Sequence, residues 1–210
     1  MHRFIILGRT AVASSAFGLD DVPGTSGRLD VLARCIRAAM LTSHGVRRDV
    51  MLYLVLGGGG PVGPRTVRID GRSAKYLRPD ERSAVVRLRK SLDWPVVDGT
   101  FATSEYLGVA VANGGLECVL EDLAASSPRL YVLEQGAQDI RAERLDASCE
   151  RAFFIGDHLG VDDASRERLA SCGATPLSVG PESLHAEDVV ALVHNERDRV
   201  NIDGEVRAPD

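Results

Sequence analysis

The sequence lacks the features that mark several large classes of protein. Its 210 residues contain no run of about eighteen apolar residues, so we expect no membrane association. The N-terminal apolar run is too short for a signal peptide. The 4 cysteines have no CxxC spacing, which argues against zinc and against a disulfide framework. We therefore predict a cytoplasmic protein with reduced thiols, and the histidines share no spacing that would predict a metal site.

Negative charge exceeds positive charge over the whole chain, but the positive charge is concentrated in its first part. The formal net charge of −5 would by itself argue against nucleic acid. Residues 1–92 nevertheless contain sixteen Lys or Arg and seven Asp or Glu, whereas residues 93–210 contain nine and twenty-three. The densest basic segment is 65–90. Basic side chains on one surface can neutralise phosphates, so the asymmetry favours contact with RNA or DNA over a solvated helix face.

Two motifs resemble phosphate sites, but each lacks a required part. Gly58, Gly60 and Gly63 have GxGxxG spacing, yet a β-like segment follows where a dinucleotide fold needs a helix. We interpret these glycines as a loop between strands. Asp157 and Asp162 could lie near a magnesium ion, as in aspartate phosphatases. That chemistry also needs a nucleophilic Asp-x-Asp, and the sequence contains none.

The hydrophobic pattern alternates between strands and helices, which predicts an α/β fold with a mostly parallel sheet and helices on both faces. The predicted strands are 3–7, 50–56, 66–69, 130–133, 152–155 and 175–179. The predicted helices are 28–43, 79–92, 116–125, 139–145, 163–172 and 183–199, and we expect 93–108 to be irregular. Ser26 is a candidate cap for the first helix.

The last three strands each run into a turn that contains glycine. The segments are "YVLEQG" (131–136), "FIGDHLG" (154–160) and "LSVGPESLH" (177–185). Glycine lets the main chain approach a ligand closely, and the carboxyl ends of parallel strands meet at one edge of the sheet. The sequence therefore predicts one ligand pocket formed by the backbone of three turns.

Five blocks in a fixed order give the chain a specific resemblance. They are "PGTSGRLDVLARC" (23–35), "SHGVRRDVMLYLVLGG" (43–58), "RPDER" (78–82), "FFIGDHLG" (153–160) and "LSVGPESLHAEDVVALVHN" (177–195). In these blocks the chain resembles the archaeal tRNA (pseudouridine-54 N1)-methyltransferase family, which is part of the SPOUT class, and the resemblance covers nearly the whole chain. Segment 92–108 and "SVGPESLH" depart from the archaeal pattern, so a substrate-facing loop could differ.

The resemblance implies one SPOUT domain over 1–210, with a basic RNA-facing part at about 1–92 and a knotted part at about 128–200 that binds cofactor. The implied knot is a C-terminal trefoil, an exception to the rule that folds are unknotted. The implied cofactor is S-adenosyl-L-methionine (SAM), and the implied partners are tRNA and a second copy of the chain. The implied cofactor-binding residues are Leu133, Gly156, Asp157, Val179, Gly180, Pro181, Glu182, Ser183, Leu184 and Val189. Asp157 could instead cap its own turn.

The implied reaction is transfer of a methyl group to N1 of pseudouridine 54 in the T-loop of tRNA. Positioning would supply most of the rate, a carboxylate could take the N1 proton, and an arginine could stabilise charge on the base. The candidate catalytic residues are Asp80, Arg82 and Asp30, and the candidate RNA-binding residues are Arg28, Arg47, Arg48 and Arg78. Two alternatives stay open: the same fold and cofactor acting on a ribosomal pseudouridine or a ribose hydroxyl, or a non-catalytic RNA-binding relative.

Overall fold

A single sheet of eight strands runs through the computed structural model, which describes residues 1–58, 62–96, 99–104, 108–143, 145 and 149–202. The strands are β1 (His2–Val12), β2 (Val50–Gly58), β3 (Arg65–Asp70), β4 (Ala102–Ser104), β5 (Val109–Asn113), β6 (Arg129–Asp139), β7 (Arg151–Gly156) and β8 (Thr175–Ser178). The helices are α1 (Val22–Thr25), α2 (Leu29–Met40), α3 (Glu81–Ser91), α4 (Leu116–Ala124), α5 (Asp163–Ser171) and α6 (Ala186–Ile202), with a 3₁₀ turn at Ile140–Ala142. The strand order is β4-β5-β3-β2-β1-β7-β6-β8.

The first strand of the chain lies at the centre of the sheet. β1 pairs in parallel with β2 on one side and with β7 on the other, so that Ile5 lies opposite both Tyr53 and Phe154. Parallel strands that are covered on both faces need continuous apolar sequence, which explains the uninterrupted runs in all three strands. β6 pairs in parallel with β7 and with β8.

Helices cover both faces of this sheet, as the sequence predicts. Phe4 and Ile6 point into a core formed with α2, α3 and α6. Ile5 and Leu7 point into a second core on the opposite face, where α4 and α5 contribute Val119, Leu123 and Leu169. The expectation of a mostly parallel α/β sheet is therefore confirmed, with four parallel and three antiparallel pairings.

The antiparallel strands are the part of the sheet that the sequence pattern misses. β3 is antiparallel to β2 and to β5, and β4 is antiparallel to β5. β5 has the sequence VAVAN, which is too short and too rich in alanine to stand out as a strand. β4 falls within the segment that we expected to be irregular. The glycine-rich segment joins the antiparallel neighbours β2 and β3, but Gly58 is the last residue of β2 and not part of a loop, and Gly60 lies outside the described residues.

The two long N-terminal helices begin differently. The N-cap position of α2 is Arg28, which has a φ of 69° and makes no side-chain cap, so Ser26 is not the N-cap residue, although its hydroxyl accepts a hydrogen bond from the Leu29 N–H at 3.1 Å. Asp80 is the N-cap of α3 and accepts from the Ser83 N–H at 2.8 Å, so that helix begins just after the predicted proline. All four cysteines are free; Cys35 and Cys118 are buried, whereas Cys149 and Cys172 are only half-buried. In the part of the chain that the structure describes, none of the helices is long and apolar enough to cross a membrane.

Candidate cofactor pocket and RNA-facing groove

Three loops lie together at the carboxyl edge of β6, β7 and β8. Residues 134–137 leave the ladder as an excursion within β6, because Leu133 and Gln138 both pair with Leu177. The second loop, 157–162, follows Gly156, and the third, 179–185, follows Ser178. We refer to these segments as the first, second and third loops. Their common edge is the one that the sequence predicts from the direction of the strands.

Side-chain hydrogen bonds connect the three loops to one another. The Gln135 amide in the first loop donates to the Pro181 carbonyl in the third at 2.8 Å. Arg166 of α5 binds Glu134 in the first loop at 2.5 Å and the Val161 carbonyl in the second at 3.2 Å. Sequence reasoning missed Gln135 and Arg166, because a polar residue on a surface gives no sign of a partner that is distant in the chain.

Gly156 is required by a close approach of the main chain. A Cβ at this position would lie 2.3 Å from the Gly160 carbonyl carbon and 2.5 Å from the Val161 nitrogen. Backbone atoms cannot move aside as the end of a side chain can. Gly156 therefore sets how tightly the second loop folds back onto the end of β7.

Asp157 holds the second loop against β1. One carboxylate oxygen accepts from the Leu159 N–H at 2.9 Å, and the other accepts from the Arg9 N–H at 2.8 Å. The Arg9 side chain also donates to the Leu159 carbonyl at 3.2 Å. The carboxylate is buried, and it caps its own turn as one of our two readings proposes.

The third loop carries most of the residues that the resemblance assigns to the cofactor. The Ser178 hydroxyl donates to the Gly180 carbonyl at 2.6 Å, which bends the chain sharply after β8. Val179 packs against the core beside Leu133, and Val189 is buried at the start of α6. The remaining assigned residues are exposed: Pro181, Glu182, Ser183 and Leu184. Leu184 has 42% of its surface exposed.

The loops suit a nucleoside with a polar tail. Each loop has one glycine that borders open space, since nothing lies within 4 Å of a Cβ at Gly136, Gly160 or Gly180. Main-chain N–H and C=O groups are therefore accessible there, and Leu133, Val179 and Leu184 add apolar surface for a ring. Among the described residues, no group of three or more His, Cys, Asp or Glu could hold a metal ion. The open main chain at the three glycines and the apolar side chains beside it are what would hold SAM, so the residues present fit that cofactor.

Asp30 is a buried carboxylate bound by two arginines. Arg28 contacts it through two nitrogens at 3.0 and 3.1 Å, and Arg34 contacts it at 2.9 Å. Burial raises the pKa of Asp30, but the hydrogen bonds from Arg28 and Arg34 outweigh it and hold this pKa below its usual value. Arg34 also binds Glu187 at 2.6 Å and Glu81 at 3.4 Å. Sequence reasoning missed Arg34, although its spacing of four residues from Asp30 was a usable signal.

Asp80 and Arg82 line a groove of about 550 Å³ at the start of α3. Asp80 is exposed, and its hydrogen bonds to Ser83 keep the pKa of the carboxyl below its usual value. Arg82 and Arg78 are also exposed. Both belong to the lining of the groove, which consists of Ile36, Tyr76, Leu77, Arg78, Asp80, Arg82, Ser83, Ala84, Val86, Arg87, Lys90 and Trp94. The structure thus brings Asp80, Arg82 and Arg78 together, while Asp30 lies in the adjoining network around Arg34.

Three of the four predicted RNA-binding arginines have partners inside the protein. Arg28 binds Asp30, and Arg47 binds Asp198 through two bonds at 3.0 and 2.6 Å. Arg48 donates to the Gly71 and Ala74 carbonyls at 2.8 and 2.9 Å. Arg78 differs from these three because it forms neither a side-chain hydrogen bond nor a salt bridge within the described residues. RNA contact by all four stays a prediction, and Arg78 is the best placed.

Comparison with known proteins gives a consistent result over the whole chain. A family model described as "Putative SAM-dependent RNA methyltransferase" matches residues 1–202. A tRNA (pseudouridine(54)-N(1))-methyltransferase of Methanococcoides burtonii is 35% identical over 97% of this chain and 98% of its own. The proteins of the same name from Methanosarcina acetivorans and Halobacterium salinarum are each 37% identical, over 98% and 97% of this chain and 95% and 99% of theirs.

A solved structure shows the same fold at much lower identity. The crystal structure of Archaeoglobus fulgidus Nep1 bound to S-adenosylhomocysteine superposes with a TM-score of 0.64 and 14% identity, covering 95% of this chain and 98% of that one. The family resemblance in the sequence blocks is confirmed by the match over 1–202 and by the full-length relatives. The chain therefore belongs to the family of SAM-dependent RNA methyltransferases that includes the archaeal tRNA (pseudouridine(54)-N(1))-methyltransferases.

Proposed function

We propose that this protein methylates N1 of pseudouridine 54 in the T-loop of tRNA, with SAM as the methyl donor. The relatives of that name match it over 95% or more of both chains. The observation that carries the proposal is the position of Arg34, which binds Glu187 at the start of α6 and Glu81 at the start of α3. Helix α6, which follows the third loop, and helix α3, which presents Asp80 and Arg82, are therefore neighbours. The methyl donor SAM and the target nucleobase can meet between them.

The three loops would hold the cofactor, and the groove would hold the base. When bound, SAM supplies an electrophilic methyl group. The assigned residues around it are Leu133, Gly156, Asp157, Val179, Gly180, Pro181, Glu182, Ser183, Leu184 and Val189. Apolar side chains of this set would exclude water from the methyl group, and the main chain of the loops would orient the polar tail.

N1 of pseudouridine loses its proton as it gains the methyl group, so the site needs a proton acceptor. Asp80 is ionised and exposed in the groove, whereas the oxygens of Asp30 are occupied by Arg28 and Arg34. Asp80 is therefore the better acceptor, and Asp30 orients the arginines around it. Arg82 would stabilise the charge that develops on the base. Arg78, with smaller contributions from Arg28, Arg47 and Arg48, would bind phosphates.

Methyl transfer to defined tRNAs tests the proposal. We expect the purified protein to transfer the methyl group of radiolabelled SAM to tRNA carrying pseudouridine 54, and not to an identical transcript with uridine 54. Asp80→Ala and Arg82→Ala should each reduce kcat/KM at least about tenfold. The exposed arginine Arg168 of α5, bound to Glu117, is the matched control, and Arg168→Ala should keep full activity.

The two alternative functions, methylation of another RNA and RNA binding without catalysis, predict different results in these measurements. Equal activity on the uridine transcript, or activity on ribosomal RNA only, would move the target to another RNA. Unchanged tRNA methylation by Asp80→Ala and Arg82→Ala would exclude these residues from the reaction. No calorimetric binding of SAM by the native protein would leave a non-catalytic RNA-binding relative.

We also propose that residues 1–210 form one domain, in which one part binds RNA and another part binds the cofactor. The basic part at about 1–92 contains the groove, and the part at about 128–200 contains the loops and is a trefoil knot. In support, β8 lies at the edge beside β6, yet the following α6 packs on α2 and β7, and the Gln135 amide in the first loop donates to the Pro181 carbonyl in the third. Stretching the chain between residues 1 and 200 in optical tweezers tests the knot. A knotted chain stops short of the full extension of about 3.3–3.6 Å per residue, whereas an unknotted chain reaches it.

We propose finally that the protein acts as a cytoplasmic homodimer. In support, a groove of about 780 Å³ between α2 and α6 presents Leu41, Val46 and Ala191, and an apolar centre with a polar rim is typical of dimer interfaces. Sedimentation should give twice the chain mass, and Ala191→Glu should give the monomer. A native protein that sediments as a monomer at micromolar concentration would contradict the dimer.

A further inference from the structure

Tyr76 exposes an aromatic ring in the basic groove. It has 69% of its surface exposed, although large aromatic residues are rarely left in water. It lines the groove together with Asp80 and Arg82. The sequence patterns gave it no role, because a single tyrosine between predicted elements carries no periodic signal.

The backbone of Tyr76 is held in an unfavourable conformation. Its φ of 56° lies in the left-handed region, which residues with a Cβ seldom adopt. Arg87 fixes this conformation, because one of its nitrogens donates to the Lys75 carbonyl at 3.0 Å and to the Tyr76 carbonyl at 2.7 Å. Strain that is stabilised by a neighbouring side chain is typical of functional positions. Here the strain keeps a ring at the surface.

The surroundings of the ring match unpaired RNA. Arg78, Arg82 and Lys90 line the same groove, and within the described residues none of the three forms a salt bridge. Asp80 is the one carboxylate among the described lining residues, so the groove attracts a polyanion. Splayed bases in RNA loops stack on exposed aromatic rings while nearby cations bind the phosphates.

We propose that Tyr76 is a stacking platform for an unpaired base of the RNA substrate next to the base that is methylated. It is a positioning residue, because it holds the RNA and touches no reacting atom. The inference rests on the proposed function for the identity of the RNA, a tRNA loop. It requires only that an unpaired RNA segment enters the groove.

Two substitutions separate stacking from folding. Tyr76→Gly removes the ring and relieves the left-handed conformation, so it should unfold at the same or higher urea concentration than the native protein. Its Kd for a T-arm stem-loop should nevertheless rise about tenfold. Tyr76→Phe keeps the ring and should bind within about twofold of the native protein. Ser127→Gly is the matched control, because Ser127 also has a positive φ, 45°, but lies outside the groove. It should leave RNA affinity unchanged.

The salt dependence of binding gives a second readout. Stacking involves no phosphate, so Tyr76→Gly should raise Kd by the same factor at every salt concentration. Lys90→Ala should instead reduce the slope of log K against log salt by about one. Unchanged affinity in Tyr76→Gly would overturn the inference, and so would an equal loss in Tyr76→Phe. Methylation by the native protein is scored separately, so failure on tRNA with pseudouridine 54 would refute the proposed substrate without affecting the stacking result.

Discussion

The guanidinium of Arg34 lies 2.6 Å from the carboxylate of Glu187, and this contact joins α2 to the helix that follows the third loop. The same guanidinium binds Asp30 at 2.9 Å and Glu81 at 3.4 Å. One side chain thus links α2, α3 and α6. The candidate cofactor pocket and the groove share this link, so a structural change at one site should alter the other.

Removing this link should destabilise the fold. Arg34→Gln removes one of the two arginines that bind Asp30 and the arginine that binds Glu187. Both carboxylates are largely buried, so the change should lower the free energy of unfolding by about 3 kcal/mol. Urea denaturation measures the change. The exposed pair of Arg141 with Asp139 is the control, and Arg141→Gln should change stability little. Similar losses in the two variants would show that the Arg34 network is no more than a surface pair.

Gly156→Ala should disrupt the cofactor pocket. The added Cβ would lie 2.3 Å from the main chain of Gly160, so the second loop must move away from β7. We expect calorimetric affinity for SAM to fall at least about tenfold, since a displacement of this size breaks precise positioning. Gly45→Ala is the control, because nothing lies within 4 Å of a Cβ there. Native SAM affinity in Gly156→Ala would separate the second loop from the cofactor.

Asp157 offers a test between capping and cofactor binding. Asp157→Ala removes the acceptor of the Leu159 and Arg9 N–H groups, and we expect it to lower the free energy of unfolding by about 2 kcal/mol without any SAM present. Asp157→Asn keeps one acceptor and should lose less. If urea denaturation shows no change in either variant while SAM affinity falls, the carboxylate contacts the cofactor directly.

The sequence predicts the centre of this molecule better than its surface. Phe4, Ile5 and Ile6 belong to an apolar run that only a strand covered on both faces can bury, so the parallel sheet follows from pattern alone. β5 was missed because its five small residues carry a weak signal. The position of the three loops at one edge of the sheet was predicted because glycine and turn residues follow each strand directly, while cofactor binding by these loops stays a prediction.

The sequence could not show which residues of the site are paired with residues distant in the chain. Arg47 is one of many arginines in a basic segment, and only the fold brings Asp198, 151 residues away, within 2.6 Å of it. The uneven distribution of charge along the chain therefore indicated a polyanion without showing which arginines are already paired. Tyr76 is the opposite case, because its significance comes from exposure and a positive φ, and neither is visible in a sequence.

His194 should make the stability of the protein depend on pH. It is buried beside Phe4, and its Nε2 lies 3.0 Å from the Ala39 carbonyl. Burial, assisted by the nearby Arg47 charge, lowers the pKa of His194 to about 4. Its pKa is lower in the folded than in the unfolded chain, so between these values the unfolded chain binds more protons. The stabilisation is therefore complete above about pH 6.5 and is lost as the pH falls toward 4.

Protonation linked to His194 alone should lower the free energy of unfolding by about 2 kcal/mol when the pH falls from 7 to 5. His194→Gln can still donate to the Ala39 carbonyl but does not titrate. Between pH 7 and pH 5 its free energy of unfolding should therefore fall by about 2 kcal/mol less than that of the native protein. Urea denaturation at the two pH values measures the difference. His44 is exposed, and His44→Gln should keep the native pH dependence. If the two variants show the same dependence, His194 is not the group that couples folding to protonation, and the buried site admits enough water to hold its charged form.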